Sequence, residues 1–205
     1  MTELELLYDH YKETFSLIKE YLNSRNKFFV ILFSIMTVQF LFAVTPDSFA
    51  SIIIKIIDNS YSIDVSNQIN IIQSLLWIIL LYFTMRYYQV TVHVERQYNY
   101  IHRLEKNISN LLESEFDRES FDYLSSYPKM NNMIDFIYKW VFPFLYCSVI
   151  VIKILSEIDM GNCSISLFLN IIISICCFVL TTLYLVFLHG DKNVSKTVEC
   201  DEVNI

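Results

Sequence analysis

Apolar positions along the chain gather into four long runs, Phe28 to Val44, Ile69 to Met85, Ile134 to Leu155 and Ile165 to Leu188, with most charges pushed to their flanks. A hydrocarbon core about 30 Å thick needs roughly 20 predominantly apolar residues in a helix, and these runs approach or reach that length. The first two are slightly short alone. Lys27 and Arg86 are placed to snorkel to the headgroups, and Tyr87 and Tyr88 suit an interfacial belt. A soluble core also produces apolar runs, but seldom four of them with charges held to the edges.

Between the runs the pattern is helical. Leu4, Leu7, Tyr8, Tyr11, Phe15, Ile18 and Leu22 recur at three- and four-residue spacing, while Glu5, Asp9, Glu13 and Glu20 fall elsewhere, and Thr2 with Glu5 fits a capping box. Met1 to Asn26 therefore reads as an amphipathic helix, not a cleavable signal. Its acidity argues against anionic lipid, so its apolar stripe should pack on the protein's own helices. No proline or glycine interrupts Arg86 to Leu112, where Ile101, Leu104, Ile108 and Leu111 keep the same spacing. The second span should thus continue out of the bilayer as one long helix. An acidic run, Glu113, Glu115, Asp117, Glu119 and Asp122, follows before Pro128, and 113–127 is expected to return as a short helix. Residues 45–68 suggest a short interfacial helix, and Glu157 to Ser164 a tight link turning at Gly161.

The expected fold is an all-α membrane protein with four transmembrane helices, a long cytoplasmic helical extension and an N-terminal amphipathic helix. Its parts are a cytoplasmic amphipathic helix (1–27), a first transmembrane hairpin with its outer loop (28–88), a cytoplasmic helical segment (89–133), a second hairpin (134–189) and a cytoplasmic tail (190–205). Composition agrees: 54% of the 205 residues are hydrophobic and only 18% charged, against about 25% charged in soluble domains.

Orientation comes from the basic residues. Lys12, Lys19, Arg25 and Lys27 precede the first run. Arg86, Arg96, Arg103, Lys106, Arg118 and Lys129 separate the second from the third, with Lys139 just beyond, and Lys192 and Lys196 follow the fourth. Only Lys55 and Lys153 fall on the other side. The positive-inside rule places both termini and the central segment in the cytoplasm.

Two groups of residues are candidate sites. Gln39, Gln73, Lys153 and Asn170 all fall about one to two turns below the outer ends of their spans, with Glu157 one turn from Lys153. Polar groups in hydrocarbon mark pathways or bonds between helices. The layer either lines a pore in an oligomer or joins neighbouring helices, Lys153 then snorkelling outward; the second is the commoner case. Arg86, His93, Arg96, Tyr100 and Arg103, at offsets of 0, 7, 10, 14 and 17 residues, share roughly 100° of helical arc. That basic and aromatic stripe is either a docking face or, more commonly, topology-setting charge with headgroup tyrosines; its charge also complements the acidic run from Glu113 to Asp122, a pairing that fits equally within one chain or between subunits.

Other chemistries find no support. A secondary transporter is not expected, since helices that slide use small residues, whereas the two glycines here, Gly161 and Gly190, are assigned to helix ends and Pro143 alone lies within a run. Cys147, Cys163, Cys176, Cys177 and Cys200 lack metal spacing, and His10, His93, His102 and His189 are scattered. Neither a cofactor nor enzyme activity is expected. Arg96 and His102 superficially resemble the spacing of HEPN ribonucleases, a match that arises readily in a basic helix, and direct nucleic-acid binding is not expected. The anticipated partners are the lipid bilayer, further copies of the chain and a cytoplasmic protein.

Two stretches, QSLLWIILLYFTMRYYQVTVHVERQYNYIHRLEKNI (Gln73 to Ile108) and SYPKMNNMIDFIYKWVFPFLYCSVIVIKI (Ser126 to Ile154), resemble small four-span proteins of bacterial antiviral loci. The type is the membrane accessory protein of type VI-B CRISPR and RADAR systems; the membrane subunit of Kiwa is similar. The resemblance implies a membrane partner or effector of a cytoplasmic immune complex that assembles and permeabilises the inner membrane. An immunity protein against a pore-forming bacteriocin and a membrane anchor for a cytoplasmic enzyme are the other readings this topology allows.

Overall fold

The computed structural model describes residues 3–61, 69–112, 133, 136–159 and 165–202. Among them are five α-helices and no strand: α1 (Glu3–Val44), α2 (Pro46–Tyr61), α3 (Ile69–Leu112), α4 (Phe142–Asp159) and α5 (Ile165–Glu202). A π-helical stretch, Ile137–Val141, leads into α4.

Three of the helices, α1, α3 and the Ile165–Phe187 part of α5, are long and apolar enough to cross a membrane. α4 is apolar too but runs only 18 residues and carries Lys153, Glu157 and Asp159. Helix boundaries depart from the sequence reading in three places. The amphipathic stretch and the first apolar run fuse into the single 42-residue α1, because nothing between them breaks a helix. The start of the third run, 134–135, lies outside the described residues; beyond it regular α-helix begins only at Phe142, where Pro143 lacks the N–H of a normal turn and a π stretch precedes it. Gly190 does not end the last helix, which continues to Glu202; one glycine costs about 1 kcal/mol relative to alanine, too little by itself to stop a helix. The acidic run and returning helix expected at 113–127, and the turn at Gly161, lie outside the described residues.

The break between α1 and α2 has a local cause. The Thr45 amide still bonds the Leu41 carbonyl at 3.0 Å, and its own carbonyl accepts from the Phe49 amide at 3.0 Å. Pro46 then occupies the first turn of α2, where a missing N–H costs nothing.

The chain divides into two compact units. The first, Met1–Val30 with Arg86–Tyr138, is built on an antiparallel pairing of α1 with α3. Tyr11 donates to the Glu105 carboxylate at 3.2 Å, the Tyr21 ring meets His93 at 4.6 Å and Phe29 meets Tyr87 at 6.0 Å. Residue number rises along α1 as it falls along α3. Between them lies a core of Tyr11, Ile18, Ile101, Leu104 and Ile108, flanked by Leu4, Leu7, Phe15 and Leu22. The N-terminal apolar stripe thus packs on the protein itself, except for Tyr8, which is exposed.

The second unit, Ile31–Met85 with Lys139–Ile205, is arranged the other way round. Its interior holds Gln39, Gln73, Thr84, Lys153, Glu157, Asn170 and Thr181 among Trp77, Leu80, Tyr146 and Ile150. Its surface is apolar: Phe144 is 76% exposed, Phe168 65% and Val186 63%. Water penalises such a surface, and hydrocarbon does not.

Candidate functional site

The sequence-level polar layer becomes a connected cluster inside the second unit. Lys153 and Glu157 lie one turn apart on α4, and helical geometry brings side chains four residues apart onto one face. The Lys153 Nζ lies 2.9 Å from Glu157 Oε1. It also donates to Gln73 Oε1 of α3 at 3.2 Å and sits 5.7 Å from the Phe42 ring centre of α1. Glu157 is approached from two further helices. Trp77 Nε1 of α3 donates to Oε1 at 3.1 Å, and Asn170 Nδ2 of α5 donates to Oε2 at 2.9 Å. Lys153 is fully buried, so it does not snorkel outward; its ammonium is turned into the unit.

Each ion therefore has the partners that burial demands. An uncompensated charge in a low-dielectric interior costs several kcal/mol, and here the carboxylate accepts three bonds while the ammonium has two polar partners and an aromatic face. The cluster joins α1, α3, α4 and α5, which suits it to hold the helices in one register. A second polar tie lies elsewhere in the unit, where the Thr84 and Tyr146 hydroxyls are 2.7 Å apart. Thr84 donates to the Leu80 carbonyl at 2.7 Å, so Tyr146 is the donor of that pair.

Gln39 differs from the rest of its layer. Its side chain is 1% exposed, yet among the described residues neither its Oε1 nor its Nε2 has a hydrogen-bond partner. Phe42, one turn further along α1, is the residue that reaches Lys153. Asn170 Oδ1 is also without a partner among the described residues. Sequence reasoning missed Trp77, although its four-residue spacing from Gln73 on a polar helix face was a usable signal. It placed Glu157 beside Lys153 but outside the layer, of which Glu157 is the hub.

The basic stripe is displayed in the first unit. Arg86, His93, Arg96, Tyr100 and Arg103 are all exposed along one side of α3. Arg86 reaches Gln89 at 3.3 Å and stacks 5.7 Å from the Phe28 ring, and His93 rests edge-on against Tyr21. A buried acid that the pattern did not reveal, Glu105, lies on the core side, 3.7 Å from His102. Among the described residues no group of three or more His, Cys, Asp or Glu is placed to hold a metal ion.

Comparison with protein-family models, with curated proteins and with solved structures finds no match.

Proposed function

We propose that the chain is a four-span protein of the bacterial inner membrane whose first unit and both termini face the cytoplasm, and that it serves an anti-phage immune complex as membrane partner and effector. The observation that carries this reading is the opposite construction of the two units. One is apolar outside and ionic inside, as lipid requires; the other buries a small apolar core and displays charge, as water requires. α4 supplies the fourth crossing. Its charges do not argue against this, because Lys153 and Glu157 neutralise each other within the bundle.

The basic face Arg86, His93, Arg96, Tyr100 and Arg103 is the docking surface for protein partners in this reading. α3 carries that face and, along the same unbroken helix, supplies Gln73 and Trp77 to the ionic cluster. The defence setting rests on the resemblance of Gln73 to Ile108 and Ser126 to Ile154 to accessory proteins of antiviral loci. Effector action through oligomers that permeabilise the membrane follows from the same resemblance.

Phage challenge of cells carrying the gene with its flanking genes tests the reading. Protection accompanied by dye entry is expected, and Arg96→Glu with Arg103→Glu should abolish both while the chain still inserts in the membrane. Protection that survives the double reversal would remove the docking face from the reading. Cells no better protected than controls would remove the defence role.

A further inference from the structure

The first unit carries a second charged stripe, on α1. Asp9, Glu13 and Glu20 are all exposed, and at 100° per residue they lie within roughly 40° of one another. They stand roughly opposite Tyr11 and Ile18, the α1 residues buried against α3. Two basic neighbours on α1 are drawn to rings of their own helix: Lys12 lies over Tyr8 at 5.9 Å and Lys19 over Phe15 at 4.8 Å. No basic residue of α1 therefore interrupts the stripe between Asp9 and Glu20.

The two stripes match in height. Tyr11 is level with Glu105 through their hydrogen bond, which puts Glu13, two residues on, level with Arg103. Tyr21 is level with His93, which puts Glu20 level with His93 and within a turn of Arg96. Copies of one chain inserted in one bilayer with the same orientation are related by an axis normal to the membrane, and such an axis keeps every residue at its own height. With the α1–α3 pair of the first unit running along that axis, a neighbour's acidic stripe meets the basic stripe in register.

The stripes also face different ways. The acidic one points directly away from the helix pairing, whereas the basic one is centred roughly 70° from the α3 core face of Leu104 and Ile108, with Arg96 and Arg103 turned farthest from it. Acid onto base between such faces is a head-to-tail contact, which closes into a ring in the membrane plane when the rotation from copy to copy completes a full turn.

From this juxtaposition we infer that the occupant of the basic face is a second copy of this chain. Asp9, Glu13 and Glu20 of one protomer seat on His93, Arg96 and Arg103 of the next, and the contact builds a ring in the membrane. The inference rests on the reading of the basic face as a docking surface and names its partner.

Charge exchange tests it on the purified full-length chain, by mass measurement in detergent and in nanodiscs at low salt. The native chain is expected to form oligomers. Glu13→Arg with Glu20→Arg, and separately Arg96→Glu with Arg103→Glu, should weaken the association constant about tenfold or more, the factor that 1.4 kcal/mol of lost contact energy carries. The quadruple variant bearing all four reversals should regain it, and so should a mixture of the two double variants. Rescue by the quadruple variant excludes misfolding as the cause of loss. A monomeric native chain, oligomers indifferent to either reversal, or failure of the quadruple variant to reassemble would each overturn the inference. Loss of phage protection with oligomers intact would overturn it while leaving the docking face standing for a different protein; indifference of both protection and mass would remove the face altogether.

Discussion

Lys153 and Glu157 form an ion pair of 2.9 Å across one turn of α4, in the interior of a unit whose outer surface is apolar. Removing one member leaves the other buried without its counter-charge. Lys153→Met is expected to destabilise the protein by about 3–5 kcal/mol. The double variant Lys153→Met with Glu157→Gln keeps an acceptor for Trp77 and Asn170 and should recover most of that loss. Thermal or denaturant unfolding in detergent measures both, and a double variant no better than the single one would show that the pair does not act as a unit.

Gln39 invites the opposite change. Both its amide atoms are buried without a partner among the described residues, and each such atom costs about 1–3 kcal/mol. Gln39→Leu should therefore leave the melting temperature unchanged or raise it. Gln73→Leu should lower it, because Lys153 loses its α3 acceptor. If Gln39→Leu abolished membrane permeabilisation in a chain of raised stability, its amide would belong to the effector function, since proteins accept unfavourable groups where they use them. A lowered melting temperature for Gln39→Leu would refute the account of its burial.

Much of the architecture is written in local pattern. The spacing of Leu4, Tyr11, Phe15, Ile18 and Leu22 specified a helix and the face that it buries, and the absence of breakers from Arg86 to Leu112 specified an unbroken α3. What pattern could not supply was direction within the bundle. Lys153 near the end of an apolar run can snorkel outward or turn inward to an acid, and the choice depends on Trp77 and Asn170, which are distant in sequence and converge on Glu157 only when the helices pack. Continuity was illegible for a related reason. Fusion of two runs into α1, and continuation of α5 past Gly190, depend on small propensity differences summed over many residues.

The Tyr11 bond to Glu105 anchors the first unit. Glu105 is 1% exposed, so Tyr11→Phe removes a charge-acceptor hydrogen bond while preserving the ring. The expected loss is about 1.5–3 kcal/mol, together with faster hydrogen exchange around Ile101 and Leu104. Exchange rates in the second unit should not change, because none of its bonds is touched. Uniform acceleration across both units would show that they unfold as one.

The chain's two tryptophans report directly on which surface meets lipid. Trp77 is fully buried and bonded to Glu157, whereas Trp140 is 51% exposed in the second unit. In bilayers containing brominated acyl chains, quenching requires close approach of bromine to the indole, so the exposed residue should be affected and the buried one spared. The Trp77→Phe protein, which retains Trp140, is expected to lose most of its fluorescence. The Trp140→Phe protein should lose little, and its emission should remain that of an indole hydrogen-bonded in a dry interior. Strong quenching of Trp77 would mean that the ionic cluster opens to lipid, and an unquenched Trp140 would mean that the apolar surface around it is covered by protein.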